Sequence, residues 1–156
     1  MKKLKFLWVG KLKKGHWQDA AAYYHKAIKR HYPVTEVIVK DAPGHLETEA
    51  KKEWEGKKLL EKLDPQDFPV ALDEHGATMT SPALAKSLTT WSEDPATAPC
   101  FIIGGAFGLS QDVLDKCRFT LSLSPMTFPH ELARVLLLEQ LYRAASIQKG
   151  LPYHHV

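Results

Sequence analysis

The apolar positions of this chain switch repeatedly between a period near two and one near four. Lys5 to Gly10 is an apolar stretch closed by a glycine and reads as a strand. Apolar residues at 17, 20, 21, 24, 27 and 28 have helical spacing over His16 to Tyr32, and Pro33 stops that helix. Val34 to Lys40 alternates β-branched and polar residues, as a strand does. After the Ala42-Pro43-Gly44 turn, Leu46, Ala50 and Trp54, then Leu59, Leu60 and Leu63, predict an exposed amphipathic helix over 45–63, weakened at Gly56. Phe68 to Asp73 reads as a short strand entering a polar loop, Glu74 to Ala77. Ser81 followed by Pro82 suits an N-cap and a first helical residue, with the helix running to about Trp91. Pro99 to Ile103 is a buried strand, 104–108 a glycine-rich loop, and Ser110 caps a short helix over 111–116. Arg118 to Leu123 is a further strand. Pro129 opens a long helix that ends near Lys149 at Gly150, and 151–156 form a tail.

Strands alternating with helices predict an α/β domain with a mostly parallel sheet flanked by helices. No repeat or linker divides it, so residues 1–156 are expected to form one domain. The last helix is apolar nearly all round at Leu132, Ala133, Val135 to Leu138 and Leu141. Such a helix is buried on more than one side. Either a second copy of the chain covers it, which predicts a homodimer, or it is sunk in the core of a monomer.

Composition changes this picture little: 44% hydrophobic, 25% charged and 10% aromatic residues in a chain of 156 suit one globular core and exclude a disordered or fibrous chain. No apolar run approaches the roughly 18–20 residues of a membrane span. The lysines at 11, 13 and 14 interrupt the apolar N-terminal stretch too early for an export signal. Cys100 and Cys117 then read as reduced thiols of a cytoplasmic protein, and no CxxC or HExxH spacing suggests a metal.

Charge is more informative. The formal net charge is +3, yet residues 1–40 carry +8 and the remainder −5. Lys2, Lys3, Lys5, Lys11, Lys13 and Lys14, with Trp17 beyond, form the densest basic stretch. It suits a polyanion, with the aromatic able to stack a base. A solvated basic face with Trp17 in the core is the other reading.

Candidate chemistry lies beyond the carboxyl ends of the strands, where open parallel sheets bind ligands. Three loops qualify: 72–76, 104–108 and 123–128. Gly104-Gly105-Ala106-Phe107-Gly108 lets a backbone approach a ligand, or simply makes a tight turn. It is neither GxGxxG nor a P-loop, and no GxSxG frame surrounds a serine. Residue chemistry alone reaches an α/β domain with a basic arm and a glycine-rich cleft, without naming a reaction.

Several motifs together go further. Phe101-Ile102-Ile103-Gly104-Gly105-Ala106-Phe107-Gly108-Leu109, Leu121 to His130, Arg134, Glu139-Gln140-Leu141-Tyr142-Arg143-Ala144, Pro152-Tyr153-His154 and the N-terminal Val9 to Lys13 with Trp17 resemble, in order and over the whole chain, the ribosomal RNA large-subunit methyltransferase H family of the SPOUT superfamily. The resemblance implies a C-terminal trefoil knot, a homodimer, and S-adenosylmethionine as methyl donor. It also implies methylation of N3 of a pseudouridine in the 23S rRNA of the assembled ribosome. Carried over, the cofactor residues are Leu72, Gly104, Leu123, Ser124, Pro125, Met126, Thr127 and Phe128. Tyr153 and His154 are the catalytic candidates, reaching the partner subunit's cleft. Lys11, Lys13, Lys14, His130, Arg134 and His155 are the RNA-binding candidates. The family usually has Lys or Arg where His155 stands, and commonly Lys where Ala77 stands. A non-catalytic ribosome- or RNA-binding module of the same fold is the alternative function.

Overall fold

The computed structural model describes residues 3–155, so Lys2 of the basic stretch lies outside them. The elements run β1 (Leu4–Val9), α1 (Gly15–Lys29), β2 (Val34–Val39), α2 (Thr48–Glu61), β3 (Asp67–Thr78), α3 (Ser81–Trp91), β4 (Ala98–Ile103), α4 (Gln111–Lys116), β5 (Phe119–Ser122) and α5 (His130–Gln148). All the strands pair in parallel, in the order β2-β1-β4-β3-β5. β4 is thus inserted between β1 and β3. All six residues of β1 are buried, as befits an interior strand covered on both faces.

Alternation along the strands divides the core. Leu4, Phe6, Trp8, Phe101 and Ile103 face Leu84 and Leu88 of α3 and Leu137 and Leu141 of α5. Leu7, Val9, Cys100 and Ile102 face Leu59 of α2 and Val113 of α4. Three helices therefore cover one face and two the other. α5 packs on both α1 and α3, and no side chain from His130 to Ile147 is exposed. Val135, Leu137, Leu138 and Leu141 are buried within the chain, while Leu132, Ala133 and Leu136 are only half-buried.

Three expectations are revised. The strand expected at 68–73 runs to Thr78, and the residues assigned to a loop are a bulge inside it. Leu72 and Ala77 both register against Leu121, which loops 73–76 outward. The side chain capping α3 is Thr80 rather than Ser81: its hydroxyl accepts the Ala83 N–H at 3.2 Å. Gly56, expected to weaken α2, lets it pack tightly, since a Cβ there would lie 2.4 Å from the Ser110 hydroxyl that caps α4.

Lys5 does not belong to the basic surface. Its ammonium is buried, donating to Asp67 at 2.8 Å, Asp64 at 3.1 Å and the Lys62 carbonyl at 2.7 Å. Burial opposes its charge, but the two carboxylates outweigh it and raise its pKa. No described helix is long and apolar enough to cross a membrane.

Candidate methyl-donor pocket

The carboxyl ends of β3, β4 and β5 open into a pocket of about 230 Å³. Leu72, Gly104, Leu123, Ser124, Met126, Thr127 and Phe128 line it, so seven of the eight expected cofactor residues converge there. Pro125 lies within the same loop without lining the pocket. Three main-chain devices shape it.

The first is the glycine-rich loop. Gly108 has φ +86° and its N–H donates to the Gly105 carbonyl at 3.1 Å, closing the turn. A Cβ on Gly104 would meet the Gly108 carbonyl at 2.7 Å, so this turn and a side chain at 104 cannot coexist. The second is the bulge, whose Gly76 lies against the Thr120 main chain, 2.6 Å from where its Cβ would be. The third is Ser122, which is 2% exposed. Its hydroxyl hydrogen is shared between the Glu74 carbonyl at 3.1 Å and the Ser124 carbonyl at 2.9 Å. One buried side chain thus ties two walls together. Thr127 adds a link by donating to the Glu74 carboxylate.

The pocket's electrostatics are specific. Asp73 and Glu74 line it, whereas no Lys or Arg does among the described residues. The resemblance did not bring these two acids forward. Their signal in the sequence was a polar interruption of an apolar strand. Apolar walls from Leu72, Ile103, Leu123 and Phe128 suit a flat heterocycle, and the acids suit a sulfonium and an ammonium group. The residues present therefore fit S-adenosylmethionine.

The catalytic candidates lie elsewhere on the chain. Tyr153 donates to Glu139 Oε1 at 3.0 Å, and the Arg143 guanidinium stacks 4.7 Å from the Tyr153 ring centre. Burial and the Glu139 contact push the Tyr153 phenol well above its usual range. Arg143 also lies 3.2 Å from His154 Nδ1 and, as an obligate donor, fixes that nitrogen as acceptor. The tail is thus folded on α5, and neither Tyr153 nor His154 lines the pocket of its own chain.

The RNA-binding candidates separate. Lys11, Lys13, Lys14 and His155 are exposed. Trp17 is half-buried on α1, its ring 4.7 Å from that of His16, rather than in the core. His130 lines the donor pocket, with Nδ1 3.4 Å from Glu131. Arg134, expected among the RNA-binding residues, is only 2% exposed. Its Nη2 donates to the Val9 and Gly10 carbonyls at 2.5 and 2.6 Å, and its charge lies over the Trp8 ring. Burial lowers its pKa to about 10. Its hydrogen bonds bind α5 to the end of β1.

The parallel sheet thus opens at its carboxyl edge into a pocket of loop main chain, apolar walls and two acids. Residues 2–154 match the family model described as a predicted SPOUT methyltransferase, and the chain belongs to that family, whose methyl donor is S-adenosylmethionine. It is 53% identical over 156 residues to ribosomal RNA large subunit methyltransferase H of Maridesulfovibrio salexigens, covering all of both chains. It is 46% identical over 155 residues to the protein of that name from Nitratidesulfovibrio vulgaris, covering 99% of each. Among solved structures, a probable methyltransferase from Bordetella pertussis shares the fold, with a TM-score of 0.56 at 18% identity over 92% of this chain and 96% of that one.

Proposed function

We propose that this enzyme methylates 23S rRNA of the assembled ribosome, at N3 of a pseudouridine, in the cytoplasm. The observation that carries the reading is the pocket: the expected donor-binding residues converge on it, and its fixed charge matches a cationic methyl donor. Bound there, S-adenosylmethionine supplies an electrophilic methyl group. The chain's own residues then have to hold the acceptor nitrogen in line with it and favour the form that has lost its proton.

The homodimer and the knot belong to the same proposal. Tyr153 and His154 are held on α5 by Glu139 and Arg143, away from their own pocket. A substrate-facing role for them is therefore at a second copy's cleft. Because His154 Nδ1 accepts from Arg143, its proton sits on Nε2. Nδ1 becomes available to take a proton once that contact opens.

The test is mass spectrometry of rRNA after unmodified ribosomes are incubated with the protein and isotopically labelled donor. The expected result is one labelled methyl on a pseudouridine nucleoside of 23S rRNA. Absence of label in rRNA, with donor binding intact, overturns the reading in favour of a non-catalytic RNA-binding module.

A further inference from the structure

A second cavity, of about 600 Å³, opens on the other side of α5. The end of β1, the edge of β2, one face of α1 and α5 wall it. Ala133 lines the donor pocket and Arg134 lines this cleft, so two consecutive residues of α5 form the partition between them. The strand order sets β1, which walls the cleft, directly beside β4, which ends at the donor pocket.

The charge of the two cavities is opposite. Lys11, Lys26, Lys29 and Arg134 line the cleft, against one acid, Glu36. That acid is already engaged: it accepts the Trp8 indole N–H at 2.9 Å, and His25 Nε2 lies 3.7 Å away. Lys11, Lys26 and Lys29 are exposed and enter none of the ion pairs found among the described residues. Arg134 is buried with its hydrogen bonds directed to carbonyls, and its Nε and His25 Nε2 have no hydrogen-bond partner. Burying an arginine without a contacting carboxylate is costly. An anion seated in the cleft offsets that cost. Lys26 and Lys29, three residues apart, lie on one helical face, opposite Lys11. Cations spread along an open cleft, with exposed Ile38 on its wall, suit a chain of phosphates and sugars better than a single small anion.

We propose that this cleft grips the phosphodiester backbone of the RNA whose base is offered to the donor pocket across the Ala133–Arg134 partition, with Lys26 and Lys29 as principal phosphate ligands. The inference rests on the rRNA reading above.

The test compares wild-type protein with K26Q/K29Q and with K57Q/K86Q, a matched charge change at exposed positions outside the cleft. Binding to unmodified ribosomes, which needs no turnover, is measured at several salt concentrations, beside S-adenosylmethionine affinity and sedimentation. The expected result for K26Q/K29Q is roughly tenfold weaker ribosome binding, with a log–log salt slope shallower by about 1.4, or about 0.7 per lost phosphate contact. Its donor affinity is unchanged, and K57Q/K86Q behaves as wild type. An unchanged slope, an equal loss in K57Q/K86Q, or a changed sedimentation coefficient marking the cleft as an interface between copies overturns the proposal. If wild-type protein binds ribosomes through these lysines but labels no rRNA, the methylation reading fails and the phosphate cleft stands.

Discussion

Leu72 and Ala77, five residues apart in β3, both register against Leu121 of β5. The four residues between them leave the ladder and carry Asp73 and Glu74 to the mouth of the donor pocket. A strand that continues on both sides of the bulge holds these acids more firmly than a free loop would.

Ser122 is the pin of that arrangement. Ser122→Ala removes the hydroxyl shared by the Glu74 and Ser124 carbonyls. A typical buried hydrogen bond contributes about 1 kcal/mol. Calorimetric titration should show roughly fivefold to tenfold weaker S-adenosylmethionine binding. Undiminished affinity would show that the two walls hold their places without the link.

Asp73 and Glu74 give the proposed donor pocket a negative lining that should favour a cationic donor over its neutral product. The Asp73→Asn/Glu74→Gln pair should weaken S-adenosylmethionine about tenfold and S-adenosylhomocysteine, whose sulfur is uncharged, much less, because solvent only partly screens charges at a pocket mouth. Equal losses for the two ligands would indicate that the acids shape the pocket and do not sense charge.

Gly104 is constrained by contact alone. In Gly104→Ala the new methyl meets the Gly108 carbonyl at 2.7 Å, so the turn must open. Donor binding should be lost, with a stability decrease of about 1–3 kcal/mol in urea unfolding. Gly44→Ala, where a Cβ meets nothing within 4 Å, should leave donor binding unchanged.

Lys5 ties β1 to the start of β3. Lys5→Met leaves Asp67, whose side chain is 7% exposed, without its cation. Breaking a buried pair in this way costs roughly 3 kcal/mol, read by denaturant midpoint at neutral pH. The sign of the pH dependence follows from the raised lysine pKa. The wild-type contribution is fully present below the unfolded value of about 10.5 and disappears as pH rises through the folded value. Wild type and variant should therefore converge in stability only in strong alkali.

Cys100 and Cys117 should be inert. Burial raises the first thiol to about 12 and the second to about 11, and the nearby Asp67 charge adds to the Cys100 shift. Little thiolate exists at pH 8. Iodoacetamide should label the native protein far more slowly than the urea-unfolded chain, and rapid native labelling would contradict the burial.

Local pattern determined much of this protein. Apolar runs, helical or alternating spacing and capping residues together located every strand and helix, because burial against a sheet and the chemistry of helix ends both act locally. Ser110 and Gly150 marked helix ends because their chemistry acts within one turn: Ser110 accepts the Val113 N–H and Gly150 takes φ +66°. The family resemblance named eight donor candidates, seven of which the fold gathers around one pocket. What the pattern could not reach depends on partners far along the chain. Whether Lys5 meets solvent or Asp67, and whether Arg134 meets phosphate or the carbonyls of Val9 and Gly10, depends on contacts 62 and 124–125 residues away. The cover of α5 by α1 and α3, the bulge at Leu121 and the basic cleft beyond Arg134 arise in the same way. Each exists only once β4 lies between β1 and β3, since strand order is a property of the packed sheet and not of any segment within it.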